Sequence, residues 1–222
     1  MRPTSFGLRF VLGAMLMNAM ALKANCPTPV GPYAWSTDSW IYYQWSTGYS
    51  NNQVSYLSIP AIGIDGDINS AMNAWTSNNY QNNTTLASFL YTPGGGPFSV
   101  FAVQVLQPGV PGSDPGLPAE TGMFYWNGPN IIAQATMTFY FGATSGGVQM
   151  WDMNAGNFHQ AVFKQTLHEV GHTMGLFDQP TGGGSCGGQT AGQSVMNAMC
   201  NTNDSLNNMP TSVTNCDNQS CW

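Results

Sequence analysis

An α+β domain is what this chain predicts, and three observations predict it. A strand-like segment and an early amphipathic helix come first, apolar runs of strand length follow between residues 98 and 151, and a second strongly patterned helix comes after them. The remainder is irregular and carries most of the cysteines. At 222 residues the sequence suits a single domain with a sizeable core, and it shows no internal repeat and no low-complexity domain.

The elements follow in chain order. Arg2 and Arg9 precede an apolar run from Phe10 to Met20, and Ala19-Met20-Ala21 offers a small-x-small cleavage pattern. Residues 1–24 therefore read as a secretory signal peptide cut after Ala21 or Ala24, with the domain spanning 25–222. The run is too short and one-sided for stable membrane insertion, so a secreted, extracellular protein is expected. Trp40 to Trp45 reads as a first strand. Ile68 to Ser77, with Ile68, Ala71, Met72 and Trp75 on one face, reads as a helix capped by Asp67. Asp65-Gly66-Asp67 begins like a calcium loop, but Ser70 and Thr76 stand where glycine and glutamate belong. Phe98 to Leu106 is apolar on both faces, as in a buried strand, and Pro108 to Pro118 forms a long connection. Ile131 to Phe141 alternates, with Ile131, Ala133, Ala135, Met137, Phe139 and Phe141 on one side. Val148 to Trp151 reads as a short edge strand. The second helix takes Asn157 as its cap and carries the stripe Phe163, Leu167, Val170 and Met174, with Lys164 solvated; beyond Gly175 the chain reads as loop.

Charge and cysteine usage narrow the function. Ten acidic residues face four basic ones, and three of those four, Arg2, Arg9 and Lys23, lie within or beside the signal segment, Lys23 being removed only by the cut after Ala24. The mature chain keeps Lys164 and little else, which argues against nucleic acid or anionic lipid as partners and leaves trypsin-like proteases almost nothing to cut. Cys186, Cys200, Cys216 and Cys221 cluster near the C-terminus, where two disulfides in any of three pairings would staple a loop-rich tail; Cys26 is left over.

Residues 168–178, His-Glu-Val-Gly-His-Thr-Met-Gly-Leu-Phe-Asp, carry the chemistry. On a helix His168 and His172 lie one turn apart on the same face and can direct two imidazole nitrogens at one metal ion. Glu169 is rotated by about 100° from His168 and reaches a water at the metal without being a ligand, the position of a general base. Gly175 can take the left-handed conformation that ends the helix, so that Asp178 supplies a third ligand oxygen. No cysteine pair at finger spacing suggests a structural zinc site. Glu120 and Glu169 are the only glutamates, which removes zinc enzymes with a downstream glutamate ligand. Asp204 and Asp217 are poorer candidates than Asp178. His159, more than two helical turns from His172, lies too far along the axis to ligate and reads as a helix-start residue near the cleft. Gly183-Gly184-Ser185-Cys186-Gly187 fits a serine-hydrolase elbow, but no strand precedes it and no histidine follows it.

The pattern His168-Glu169-x-x-His172-x-x-Gly175-x-x-Asp178 resembles the extended zinc signature of the metzincin metallopeptidases, in the variant with aspartate as the last ligand seen in snapalysin-type enzymes. Ser194-Val195-Met196-Asn197-Ala198-Met199 resembles the methionine turn that lies beneath the metal in that family, with Met196 as its methionine. The resemblance implies a metzincin-like catalytic domain: a twisted mixed sheet, an N-terminal helix, an active-site helix and an irregular C-terminal part. It implies a secreted, monomeric zinc endopeptidase acting on protein or peptide substrates, with Zn2+ held by His168, His172 and Asp178 and with Glu169 as general base. The substrate would lie extended along an edge strand, here Val148 to Trp151. Other readings are a secreted binding protein that keeps the fold without turnover, and a zinc hydrolase of a non-peptide amide.

Overall fold

A computed structural model describes residues 35, 40–45, 64–82, 88–91, 99–106, 116–125, 132–152, 154–176, 178, 194–196, 209–214 and 217. Residues 1–24, read as a signal peptide, the five cysteines, Gly183 to Gly187, Asp204 and most of the Pro108 to Pro118 connection lie outside these residues.

The described elements run β1 (Trp40–Trp45), α1 (Asp65–Asn82), β2 (Ser88–Tyr91), β3 (Ser99–Leu106), β4 (Ala119–Tyr125), β5 (Ile132–Tyr140), β6 (Thr144–Ser145), β7 (Val148–Gln149) and α2 (Ala155–Thr173). Five strands form one mixed sheet in the order β2-β1-β3-β5-β4. The pairs β1 with β2, β1 with β3 and β3 with β5 are parallel, and β4 runs antiparallel to β5 at the end of the sheet. Parallel neighbours need a crossover, and α1 supplies it between β1 and β2. Both helices pack on the sheet and on each other. Ile41, Tyr43, Ala135, Met137 and Phe139 meet Ile68, Met72, Trp75, Phe158, Leu167 and Val170 in the shared core. Each fully buried large apolar side chain there contributes about 1.5–3 kcal/mol. Two bonds tie α1 to the sheet: the Tyr43 hydroxyl donates to Asn69 Oδ1 at 2.8 Å, and the Phe89 amide donates to Thr76 Oγ1 at 3.0 Å.

Both helices start earlier than their patterns suggest. In α1 the Ile68 amide already donates to the Ile64 carbonyl, so Asp67 sits inside the first turn instead of capping it. Its carboxylate is taken by His159 Nδ1 at 2.5 Å, a pair that joins the two helices. Helix α2 is preceded by Asn154 in extended conformation. Asn157 is not the cap: it lies one turn inside and donates from Nδ2 to Asp152 Oδ2, while Asp152 Oδ1 accepts the Asn154 amide. One carboxylate before the helix thus replaces the expected cap.

The strands depart from expectation in three places. In β5 the alternation holds for Ala135, Met137 and Phe139 but breaks at its start, because Phe124 pairs with Gln134 and Tyr125 with Ile132. Ala133 is the extra residue of a bulge, which returns Ile132 to the buried side. Second, Val148 to Trp151 is not an edge strand of the main sheet. Val148–Gln149 pairs with Thr144–Ser145 in a separate hairpin closed by Gly146 and Gly147, both at positive φ as a type I′ turn requires. Met150 and Trp151 then turn inward, and the Trp151 ring packs on Phe141 and Phe158 with centroids 4.8 and 5.6 Å away. Third, β2 and β4 had no sequence expectation: Ser88–Tyr91 is very short, and Ala119–Tyr125 interrupts its apolar residues with Glu120, Thr121 and Gly122. Among the described residues no helix is long and apolar enough to cross a membrane.

Lys164 is the largest departure in burial. It is only 2% exposed, its Nζ donates to the Met209 carbonyl at 2.8 Å, and burial lowers its pKa. The four-carbon stem crosses apolar surroundings to reach a carbonyl of the C-terminal part, so the side chain ties that part to α2. Because Lys164 is the only lysine or arginine after residue 23, trypsin should leave the folded domain whole and cut the denatured domain once, after Lys164. Mass analysis of timed digests with and without urea checks this; native cleavage at Lys164 as fast as in urea would contradict its burial.

Candidate metal centre

Helix α2 places His168 and His172 one turn apart, with ring centroids 4.9 Å apart and planes near perpendicular. The helix ends where the glycine requires it. Gly175 has φ 80°, its amide donates to the His172 carbonyl, and the Leu176 amide donates to the Gly171 carbonyl. These two bonds are the Schellman pattern, which needs the left-handed conformation a glycine adopts without cost. The chain then doubles back and brings Asp178 Oδ1 to 3.0 Å from His168 Nε2 and 3.5 Å from His172 Nε2.

Each imidazole is oriented from behind. His168 Nδ1–H donates to the Val195 carbonyl and His172 Nδ1–H to the Leu176 carbonyl, both at 2.9 Å. A carbonyl can only accept, so each Nδ1 carries a proton and each Nε2 is turned toward Asp178. One carbonyl comes from the turn that ends the helix, the other from residues 194–196, far away in sequence. Bonds of this kind at the far ring nitrogen fix the orientation of metal-binding histidines.

The donor set is one that could hold a metal ion. The three ligand atoms lie within 4.8 Å of one another. Tetrahedral zinc with bonds of about 2.0–2.1 Å separates its ligand atoms by about 3.3 Å, a value that falls between the two nitrogen–oxygen spacings. Beside them Glu169, 3% exposed, holds a buried Oε2 with no hydrogen-bond partner among the described residues. An unpartnered buried carboxylate oxygen is costly unless the site itself uses it.

Electrostatics couple the same groups. Burial disfavours the charged His168 ring, but the bond to Asp178, the charges of Glu169 and Asp178 and the Val195 carbonyl outweigh it and raise its pKa to about 9. Burial alone would raise Asp178; the bond to His168 and the charges of both imidazoles hold it below the ordinary carboxylate value. The other glutamate stands apart: Glu120 is exposed on β4 and accepts a short hydrogen bond from the Tyr140 hydroxyl. Burial, that bond and Glu120's charge keep the phenol neutral well above its usual range, and Glu169 adds a smaller push.

Further contacts surround the site, and that of Thr121 carried no expectation. The Thr121 hydroxyl donates to the Glu169 carbonyl at 3.1 Å, anchoring β4 to α2 at the proposed general base. Trp75 Nε1 donates to the Leu167 carbonyl at 2.9 Å. Met196 is fully buried beneath the helix, where a Cβ on Gly171 would fall 2.2 Å from its Sδ and 3.2 Å from the Trp75 ring. Glycine inside a helix costs about 1 kcal/mol relative to alanine, and that cost was the available signal that something lies close at position 171. His159 is bound to Asp67 and stands apart from the ligand cluster. Asp217 is buried in contact with Ser194, Val195 and Thr214.

No family model matches the chain. No curated protein matches it either. Among solved structures it is similar to one described as "GM1 bound form of the ECX AB5 holotoxin", at 10% sequence identity and a TM-score of 0.47, over 89% of this chain and 87% of that one. A likeness of that size bears on neither family nor activity.

The contact between Gly171 and Met196 can be measured. Gly171→Ala should lower stability by about 1–3 kcal/mol through overpacking, against the helix-propensity gain of about 1 kcal/mol. Its cost should shrink in a Met196→Ala background, where the sulfur is gone. Denaturant unfolding of the double-mutant cycle checks this, and equal costs in the two backgrounds would show that the sulfur does not set the limit at Gly171.

Proposed function

We propose that the chain is a secreted zinc-dependent endopeptidase in which His168, His172 and Asp178 hold the ion and Glu169 is the general base. The observation that carries the proposal is the convergence of two oriented Nε2 atoms and one carboxylate oxygen beside Glu169 Oε2, which has no hydrogen-bond partner among the described residues. The resemblance to the metzincin signature supports the same reading.

When bound, zinc supplies Lewis acidity at a scissile carbonyl and lowers the pKa of a water beside it. The rest falls to the chain. His168 and His172 ligate as neutral rings because their Nδ1 protons are committed to Val195 and Leu176. Glu169 takes the proton of the attacking water at its free oxygen and returns it to the leaving amine. Thr121 and the buried flank of α2 hold the Glu169 backbone in place. Val148–Gln149 is engaged in its own hairpin, so the substrate is assigned instead to β4, the antiparallel strand at the end of the sheet whose Thr121 touches α2 at Glu169.

Purified protein loaded with one zinc per chain should cleave members of an unbiased peptide library, lose that activity to a chelator and recover it with zinc. Glu169→Ala should keep the zinc and lose about 10²–10⁴-fold in kcat/KM, the usual contribution of a general base. A zinc-loaded wild type without chelator-sensitive cleavage would favour the binding-protein reading, and cleavage confined to non-peptide amides would favour the third.

The anionic third ligand adds a pH prediction. Asp178→His replaces a negative ligand by a neutral one and raises the net charge at the ion by one, which favours loss of a proton there. In the zinc-replete variant the acid limb of the kcat/KM profile should move to lower pH. An unmoved limb with zinc confirmed bound would count against Asp178 as a ligand.

A further inference from the structure

We infer that Asp217 is a positioning residue for this centre, a buried carboxylate that holds the 194–196 turn in the place from which it orients His168 and seats Met196. The inference rests on the proposed metal site and names a residue outside its ligand set.

Asp217 is fully buried, and among the described residues its partners are hydroxyls and backbone amides. Its two oxygens are engaged by donors from two chain segments. Oδ1 accepts from the Ser194 hydroxyl at 2.5 Å; Oδ2 accepts from the Thr214 amide at 2.9 Å, the Thr214 hydroxyl at 2.8 Å and, at 3.3 Å, the Val195 amide. Four donors on one carboxylate make a site that only an ionised acceptor fills well. The bonds continue toward the metal ligands. Ser194 Oγ also accepts the Met196 amide at 2.9 Å, and the Val195 carbonyl accepts the Nδ1 proton of His168. The residue whose amide meets Asp217 therefore presents its carbonyl to the first zinc ligand. The next residue places its sulfur under Gly171.

Without Asp217, Ser194 and the Val195 amide would be left buried and unpaired, and the turn would move to find other partners. Moving the Val195 carbonyl releases His168 Nδ1 and with it the fixed direction of the Nε2 lone pair. Asparagine has nearly the same size but presents an amide N–H where acceptors are needed, so Asp217→Asn tests the acceptor chemistry apart from the volume.

The experiment measures zinc affinity by chelator competition for wild type, Asp217→Asn and Ser194→Ala, with the Co2+-loaded forms followed by their ligand-field absorption. Asp217→Asn should bind zinc about 10–100-fold more weakly, the usual consequence of losing an outer-shell partner, with altered Co2+ bands. Ser194→Ala, which removes one donor and keeps the carboxylate, should lie between; if Asp217→Asn fails to fold, its affinity against wild type decides the matter. A purely structural residue would lower thermal stability and leave the affinity and spectrum of the folded protein unchanged, and that result overturns the inference. If wild-type protein itself binds no zinc, the metal reading fails and this one with it. If wild type binds and the variants bind equally, only the role of Asp217 fails.

Discussion

The close approach of α2 to Met196 and Trp75 is the constraint on which the rest of the site depends. It is possible because position 171 carries no Cβ. With the two layers this near, the Trp75 indole reaches the Leu167 carbonyl and the Val195 carbonyl reaches His168. Any larger residue at 171 would lift the helix or displace the sulfur, and both partners would lose their hydrogen-bond geometry together. The glycine between Val170 and His172 thus fixes how deep the ligand-bearing turn of the helix sits.

Depth alone does not orient a ligand, and here the two histidines are oriented by different devices. His172 is served locally: the left-handed Gly175 turns the chain, and the Leu176 carbonyl comes round to meet the ring four residues earlier. His168 is served from a distance by residues 194–196, whose position depends on contacts with residues 214 and 217. The first device forms with the helix itself. The second forms only when the C-terminal part has docked, to which the buried Lys164 also contributes through Met209. An assembled centre therefore reports on completion of the whole fold, as a site confined to one helix would not.

The division between local and distant contacts explains what the sequence made legible. The spacing of His168, Glu169, His172, Gly175 and Asp178 could be read because a helix and its terminating glycine impose fixed geometry over eleven residues. Strands β1, β3 and β5 were readable from apolar runs that no other element type would carry so compactly. Strands β2 and β4 were not, since four residues give no period and β4 mixes polar residues into its run. Lys164 was misread because a charged residue is normally solvated and only its tertiary partner, Met209, shows otherwise; Asp67 was read as a cap because the earlier helix start and its partner His159 leave no local signal. Val148–Gln149 lies outside the main sheet because two glycines at positive φ fold that segment onto residues 144–145.

Charge gives the arrangement its direction. Two carboxylates, Glu169 and Asp178, stand against two imidazoles in a region where His168 is buried. Burial opposes a charge on His168, and the bond to Asp178 with the charges of the two acids outweighs it and raises its pKa. Asp178 remains half exposed, with 54% of its side chain open to solvent, so the approach to the ligand atoms lies on its side of the pair. Glu169 has no such outlet, and its Oε2 is the group in greatest need of a partner. Hydrophobic packing beneath the helix and charge above it therefore meet at adjacent positions, since Gly171, which sets the packing, lies next to His172, which faces Asp178.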